Sequence, residues 1–209
     1  MSKAEELLEL INQEPKPSRK EAEEAVRVLI KWAGDDPERE GLVDTPRRVV
    51  ESYEGFFSGY NANPDEILSK NFSEVEGFDD MIILKQIKFT SFCEHHILPI
   101  IGYVDIAYIP NGSIVGISKI ARIVDVFAKR LQMQERFTVQ IAQSLNKYLK
   151  PQGVAVSVIA QHQCMSLRGV KKETAQMQTN FMLGAFDTNL ELRKKFLSLI
   201  SKPETAQEN

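Results

Sequence analysis

Soft metal ligands are scarce in this sequence. Only two cysteines, Cys93 and Cys164, and three histidines, His95, His96 and His162, occur in 209 residues. So few cysteines exclude a disulfide framework, and in a reducing compartment they point to metal binding or catalysis instead. No apolar run is long enough to span a bilayer, which argues against a membrane protein. Met1 to Glu14 is polar and acidic, without the basic start and apolar block of a secretory signal, so a cytoplasmic location is expected. A basic excess is also missing, since the net charge is -3. That disfavours a polymeric nucleic-acid partner, while a small anion needs only a few local cations. Neither a repeat nor a low-complexity block interrupts the chain. What remains, 43% hydrophobic and 26% charged, describes a soluble globular chain able to bury a core.

The first part of the chain reads as helical. Residues 1–17 form a loose arm. Ser18 with Glu21 is a capping box, followed by Ala22, Ala25, Val26, Leu29 and Ile30 at helical spacing, with Gly34 as a stop. Thr45-Pro46 opens a second helix, with Val49, Val50 and Tyr53 on its inner face. This N-terminal helical extension is expected over 18–75. Residues 81–92 and 101–109 are rich in strand formers. Ser118 reads as the cap of a helix through Ile120, Ile123, Val124 and Phe127, and a second helix runs through Phe137, Ile141, Leu145 and Leu149. Strands over 154–163 and near 176–185 follow, then a last helix capped by Thr188 and a polar tail over 201–209. The order strand, strand, helix, helix, strand, strand predicts an α+β catalytic domain over 76–200. Its sheet is expected to be antiparallel with both helices on one face. Its edges and second face call for symmetric association.

All five soft ligands fall in two short segments, 93–96 and 162–164. Cys93 and His96 make a C-x-x-H pair, a spacing from which thiolate and imidazole can reach one zinc ion. His162 and Cys164, two apart on an expected strand, project from one face. Two arrangements are open. Cys93, His96, His162 and Cys164 could close a structural site. Alternatively three of them could hold a catalytic zinc and leave a position for water. The surplus His95 favours the catalytic form, because a closed site needs no spare acid or base.

Cations gather at two further places. Ser118, Lys119 and Arg122 lie at an expected helix start, where free N–H groups and the dipole favour phosphate. Arg168, with Lys171 and Lys172, follows the third strand. Glu135, in the stretch Gln-Met-Gln-Glu-Arg, could accept hydrogen bonds from a guanine edge.

Together these residues closely resemble the GTP cyclohydrolase I family. The matching segments are TPRR (45–48), TSFCEHHILPIIG (90–102), AYIP (107–110), VGISKIARIV (115–124), QMQER (132–136) and QHQCMSLRG (161–169). The resemblance covers roughly 20–186 and implies the tunnelling fold, assembled as a ring-shaped homodecamer with active sites between subunits. It implies zinc, one per subunit, on Cys93, His96 and Cys164, with His95 and His162 as acid/base groups. It implies Ser118, Lys119, Arg122, Arg168 and Arg48 on the phosphates of GTP, Ser118 being placed with the catalytic set, and Glu135 with Gln134 on the guanine. The implied reaction opens the guanine imidazole ring, releases formate and closes a pterin ring as 7,8-dihydroneopterin triphosphate. The sequence departs from the family at Glu51, where some members carry a phosphate-binding lysine, and at Leu131, where proline is common. Zinc base deaminases are the nearest rival class, but their H-x-E and P-C-x-x-C pattern is absent. The three-histidine zinc set of pterin synthases is absent too. A non-catalytic purine-nucleotide binding module is the remaining alternative.

Overall fold

A computed structural model describes residues 16–68 and 78–201, and every structural statement below concerns those residues. The arm up to residue 15, the segment 69–77 and the tail from 202 lie outside them. The chain divides into two compact units at Gly55/Phe56.

The N-terminal unit carries α1 (Arg19–Trp32) and most of α2 (Thr45–Phe56). The capping box is present: Glu21 N–H donates to the Ser18 hydroxyl, and the Glu21 carboxylate accepts from Ser18 N–H at 2.8 Å. Gly34, at φ +97, takes the left-handed conformation just past the end of α1. Pro46 is buried in the first turn of α2, and Val49 and Val50 are half-buried, but Tyr53 is exposed. The second helix runs on through Gly55 to Phe56.

Among the described residues, 56–68 group with the sheet unit. Gly59, in the short 3-10 turn Ser58–Asn61, donates to Lys129 O at 3.0 Å. A Cβ there would sit 2.2 Å from Val126 O, so this approach requires glycine. Leu68, at the end of α3 (Pro64–Leu68), is fully buried in the main core.

The sheet unit contains β1 (Ile82–Cys93), β2 (Pro99–Ile109), α4 (Ile117–Ala128), β3 (Leu131–Gln132), α5 (Gln134–Leu149), β4 (Gly153–His162), α6 (Gln163–Ser166), β5 (Met177–Gly184), α7 (Ala185–Thr188) and α8 (Leu190–Ile200). The spatial order is β3-β1-β2-β4-β5. The four long strands pair antiparallel, as expected. The sheet as a whole is mixed, because the two-residue β3 joins β1 in parallel. Two residues carry too little pattern to be read as a strand.

Alternation along the strands sorts the core into two layers. Val104, Ile106 and Tyr108 of β2 and Val154, Val156 and Val158 of β4 face α4 and α5. There they meet Ile120, Ile123, Val124, Phe127, Phe137, Ile141 and Leu145. Each such side chain contributes about 1.5–3 kcal/mol of burial. Ala107, Ile109 and Ala155 face the other way, onto Met182, Phe186 and Phe196, under α7 and α8. Further along that second face Ile101 and Tyr103 remain 40% and 49% exposed.

Two expected caps shift. Gly116 precedes α4, so Ser118 lies inside the helix; Asn189, whose side chain accepts from Glu191 and Leu192 N–H, caps α8 in place of Thr188.

Candidate metal centre and its surroundings

Three neighbouring strands end at one edge of the sheet. Cys93 is the last residue of β1, His162 the last of β4, and Ile100 near the start of β2 pairs with His162. The turn from β1 to β2 is tight. Cys93 N–H donates to Leu98 O and Ile97 N–H donates to Cys93 O, both at 2.8 Å. Ile97 adopts φ +54, which is strained for a β-branched side chain. That conformation lets the chain reverse directly after His96.

The strand expected over 154–163 stops at His162. Cys164 lies on α6, so it shares no strand face with His162, and the helical turn carries its thiol elsewhere. The thiols of Cys93 and Cys164 and a ring nitrogen of His96 all lie within 4.8 Å of one another. His162 stands outside that group. Cys93 is buried, Cys164 half-buried and His96 exposed, so the cluster opens toward solvent on the histidine side.

Two thiols and an imidazole form a donor set that suits zinc. Burial pushes the Cys164 thiol up first, and the neighbouring Cys93 adds to the shift, while Arg168 opposes it. A cation held by these residues would reverse that balance by stabilising thiolate. The residues present therefore fit the ion.

His95 is exposed, and its Nδ1 lies 3.7 Å from the Cys93 sulfur. His162 is half-buried; burial lowers its pKa, and the nearby Glu135 carboxylate pulls it back up. Glu135 itself is exposed in the first turn of α5. Gln134 is only 2% exposed, and its side-chain oxygen lies 2.8 Å from His162 Nε2.

Among the phosphate candidates, Arg168 is exposed just past α6 and near enough to act on Cys164. Ser118, Lys119 and Arg122 sit on the first turns of α4. Arg122 lines a cleft of about 190 Å³ with Ser58, Gly59, Asp125 and Lys129, and no residue of the Cys-His-Cys cluster forms its wall. Arg48 belongs to the N-terminal unit, where its guanidinium donates to Asp44 at 3.3 Å. Glu51 accepts from both Arg47 and Arg19, and Arg47 leads in holding its carboxyl below the usual range.

The sequence alone did not disclose the polar frame behind the cluster. Glu94 pairs with Arg136, Arg136 Nε donates to Gln132, and Gln132 donates to Phe127 O and to Gln140. Glu94 N–H donates to Gln132 O, which ties the C-x-x-H turn to β3. The signal was the pair Gln132 and Gln134, two polar residues flanking Met133 before an amphipathic helix. Both prove buried.

A mixed sheet backed by two helices, with a Cys-His-Cys cluster at its strand ends, defines an α+β protein with a group that could hold a metal ion. The sequence profile of the GTP cyclohydrolase I family matches residues 22–201. A protein named GTP cyclohydrolase 1 from Rickettsia felis is 57% identical over 187 residues, covering 90% of this chain and 98% of that one. Its namesake from Allorhizobium ampelinum is 51% identical over 185 residues, covering 88% of this chain and 92% of its own. The chain belongs to the GTP cyclohydrolase I family and is an enzyme of that family. Among solved structures, a QueF-like archaeosine synthase in its apo form aligns at 19% identity with a TM-score of 0.42. That alignment covers 50% of this chain and 93% of the other.

Proposed function

We propose that this enzyme hydrolyses the imidazole ring of the guanine in GTP, releases formate, rearranges the ribose and closes a pterin ring to give 7,8-dihydroneopterin triphosphate. The observation that carries this reading is the convergence of Cys93, His96 and Cys164 within 4.8 Å, with His162 left outside the cluster. Three protein ligands are the number a catalytic zinc takes, whereas a structural one takes four. Zinc held there would supply Lewis acidity and a water of lowered pKa.

The remaining work falls to the chain. His162 and His95 flank the cluster, and an imidazole can both give and take a proton, so they suit proton transfer to and from the guanine ring nitrogens. Glu135 supplies a carboxylate that can accept from the guanine N–H groups. Lys119, Arg122, Arg168 and Arg48, with the Ser118 hydroxyl, supply the donors a triphosphate needs. Their anchoring holds the reacting carbon in place, which lowers the entropic barrier. Arg122 opens into a cleft apart from the zinc ligands, which supports a site completed by a second subunit in a homo-oligomer, taken here as a decameric ring of tunnelling-fold subunits. Glu51, already bonded to two arginines, is poorly placed to repel a phosphate.

Incubation of the zinc-loaded protein with GTP, following formate and the fluorescence of the oxidised pterin, tests the reading. Both should appear together. GTP bound without formate release would reduce the protein to a nucleotide-binding module.

A further inference from the structure

The Gln134 side chain is more completely committed than any other polar group near the cluster. Its Nε2 lies 2.9 Å from Met177 O, 3.1 Å from Val158 O and 3.2 Å from Thr179 Oγ1. The two carbonyls can only accept. Thr138 donates its hydroxyl hydrogen to Gln134 O at 2.7 Å, so in the 2.6 Å contact between Thr138 and Thr179 the donor is Thr179. Thr179 Oγ1 is then an acceptor toward Gln134 as well. Three acceptors surround one end of the amide, so that end must be the NH2. A flipped amide would face its oxygen into two carbonyl oxygens in a buried site, at a cost of several kcal/mol.

The orientation has a consequence for the neighbouring imidazole. Gln134 Oε1 can only accept, and it lies 2.8 Å from His162 Nε2. The hydrogen in that contact therefore belongs to His162. We infer that Gln134 is a positioning residue: its buried amide holds His162 as the Nε2–H tautomer, sets its ring plane, and leaves Nδ1 as the nitrogen that faces a bound molecule. This rests on the reading of His162 as part of the reaction site. It also keeps the Gln134 amide hydrogens from the guanine, because both are committed to protein acceptors.

Neutron diffraction from deuterated crystals of the zinc-loaded enzyme, grown above the histidine titration range, reads the tautomer directly. Deuterium on Nε2, aimed at Gln134 Oε1, with Nδ1 bare, is the expected map. Deuterium on Nδ1 with Nε2 bare would overturn the inference. Gln134→Met keeps the side-chain length and removes both polar ends. It should retain zinc and change KM for GTP by less than ~3-fold while kcat falls ~10-fold or more, the lower end of what one misplaced proton-transfer group costs. Unchanged kcat, or a loss that merely follows the fraction folded, would also overturn it. Should that variant fail to fold, the neutron map still decides. Absence of formate from the parent enzyme would sink the proposed reaction, whereas a deuteron on Nδ1 would sink this inference alone.

Discussion

His162 and Cys164 stand two residues apart but belong to different elements, and their surroundings give them different work. The thiol of Cys164 turns toward Cys93 and His96 on a helical turn, while the His162 ring turns toward Gln134 at the strand end. Cys164→Ser should lose both zinc and turnover, because two ligands cannot hold the ion well. His162→Ala should keep zinc and melting temperature while formate release slows by ~100-fold or more, the usual scale for an acid/base group. Metal content, thermal melts and formate assays on the two variants check this together. A His162→Ala protein that loses its zinc and its fold at once would make His162 a fourth structural ligand. The two segments that supply the cluster were legible in the sequence, since all five cysteines and histidines fall in 93–96 and 162–164. The direction each side chain points was not, because it depends on where β4 ends.

At the scale of elements, irregular backbone at two places shapes β1. The register shifts between Leu84 and Ile87, Gln86 takes φ +58, and its N–H donates to the buried Asp105 carboxylate at 2.7 Å. Burial raises the Asp105 pKa, against the opposing pull of Gln86 N–H and of Lys85. The sign follows from linkage. A carboxyl raised in the folded state is most favourable when protonated, so its contribution is present below the ordinary carboxylate range near ~4 and is lost as pH rises through the raised value. Asp105→Asn keeps the acceptor and removes the charge. It should be at least as stable as the parent at neutral pH, with the difference closing as pH falls through the carboxylate range. Urea unfolding across that range measures the gap; an Asn variant clearly weaker at neutral pH would show that Lys85 and Gln86 outweigh burial. The other irregularity, Ile97 at φ +54, was equally invisible beforehand, since isoleucine ordinarily signals extended strand. The long strands and both central helices were legible because their apolar periodicity runs far enough to be distinctive.

At the scale of the whole molecule, several large apolar side chains are exposed on the isolated chain. Trp32 is 86% exposed and Leu29 62% on α1 in the N-terminal unit, while Ile101 and Tyr103 are open on the sheet. Such surface is available for contact with a partner. Copies of the chain are the partner proposed. Light scattering should give a mass many times the 23.7 kDa chain. An active monomer at assay concentration would remove the shared-site reading.

The sequence by itself determined the family, the α+β order of elements and the two segments that carry every soft side chain. Each of these is a matter of which residues occur and at what spacing. Tertiary structure alone decided the rest. β3 forms only because α4 and α5 deliver Leu131 and Gln132 beside the end of β1. The unit boundary falls at 55/56 because Gly59 and Leu68 find their partners in the sheet unit rather than along the chain. Gln134 and His162 are far apart in sequence, and no local pattern records that a buried amide will set the tautomer of a distant imidazole. That outcome depends on which acceptors surround Gln134 once the strands have paired.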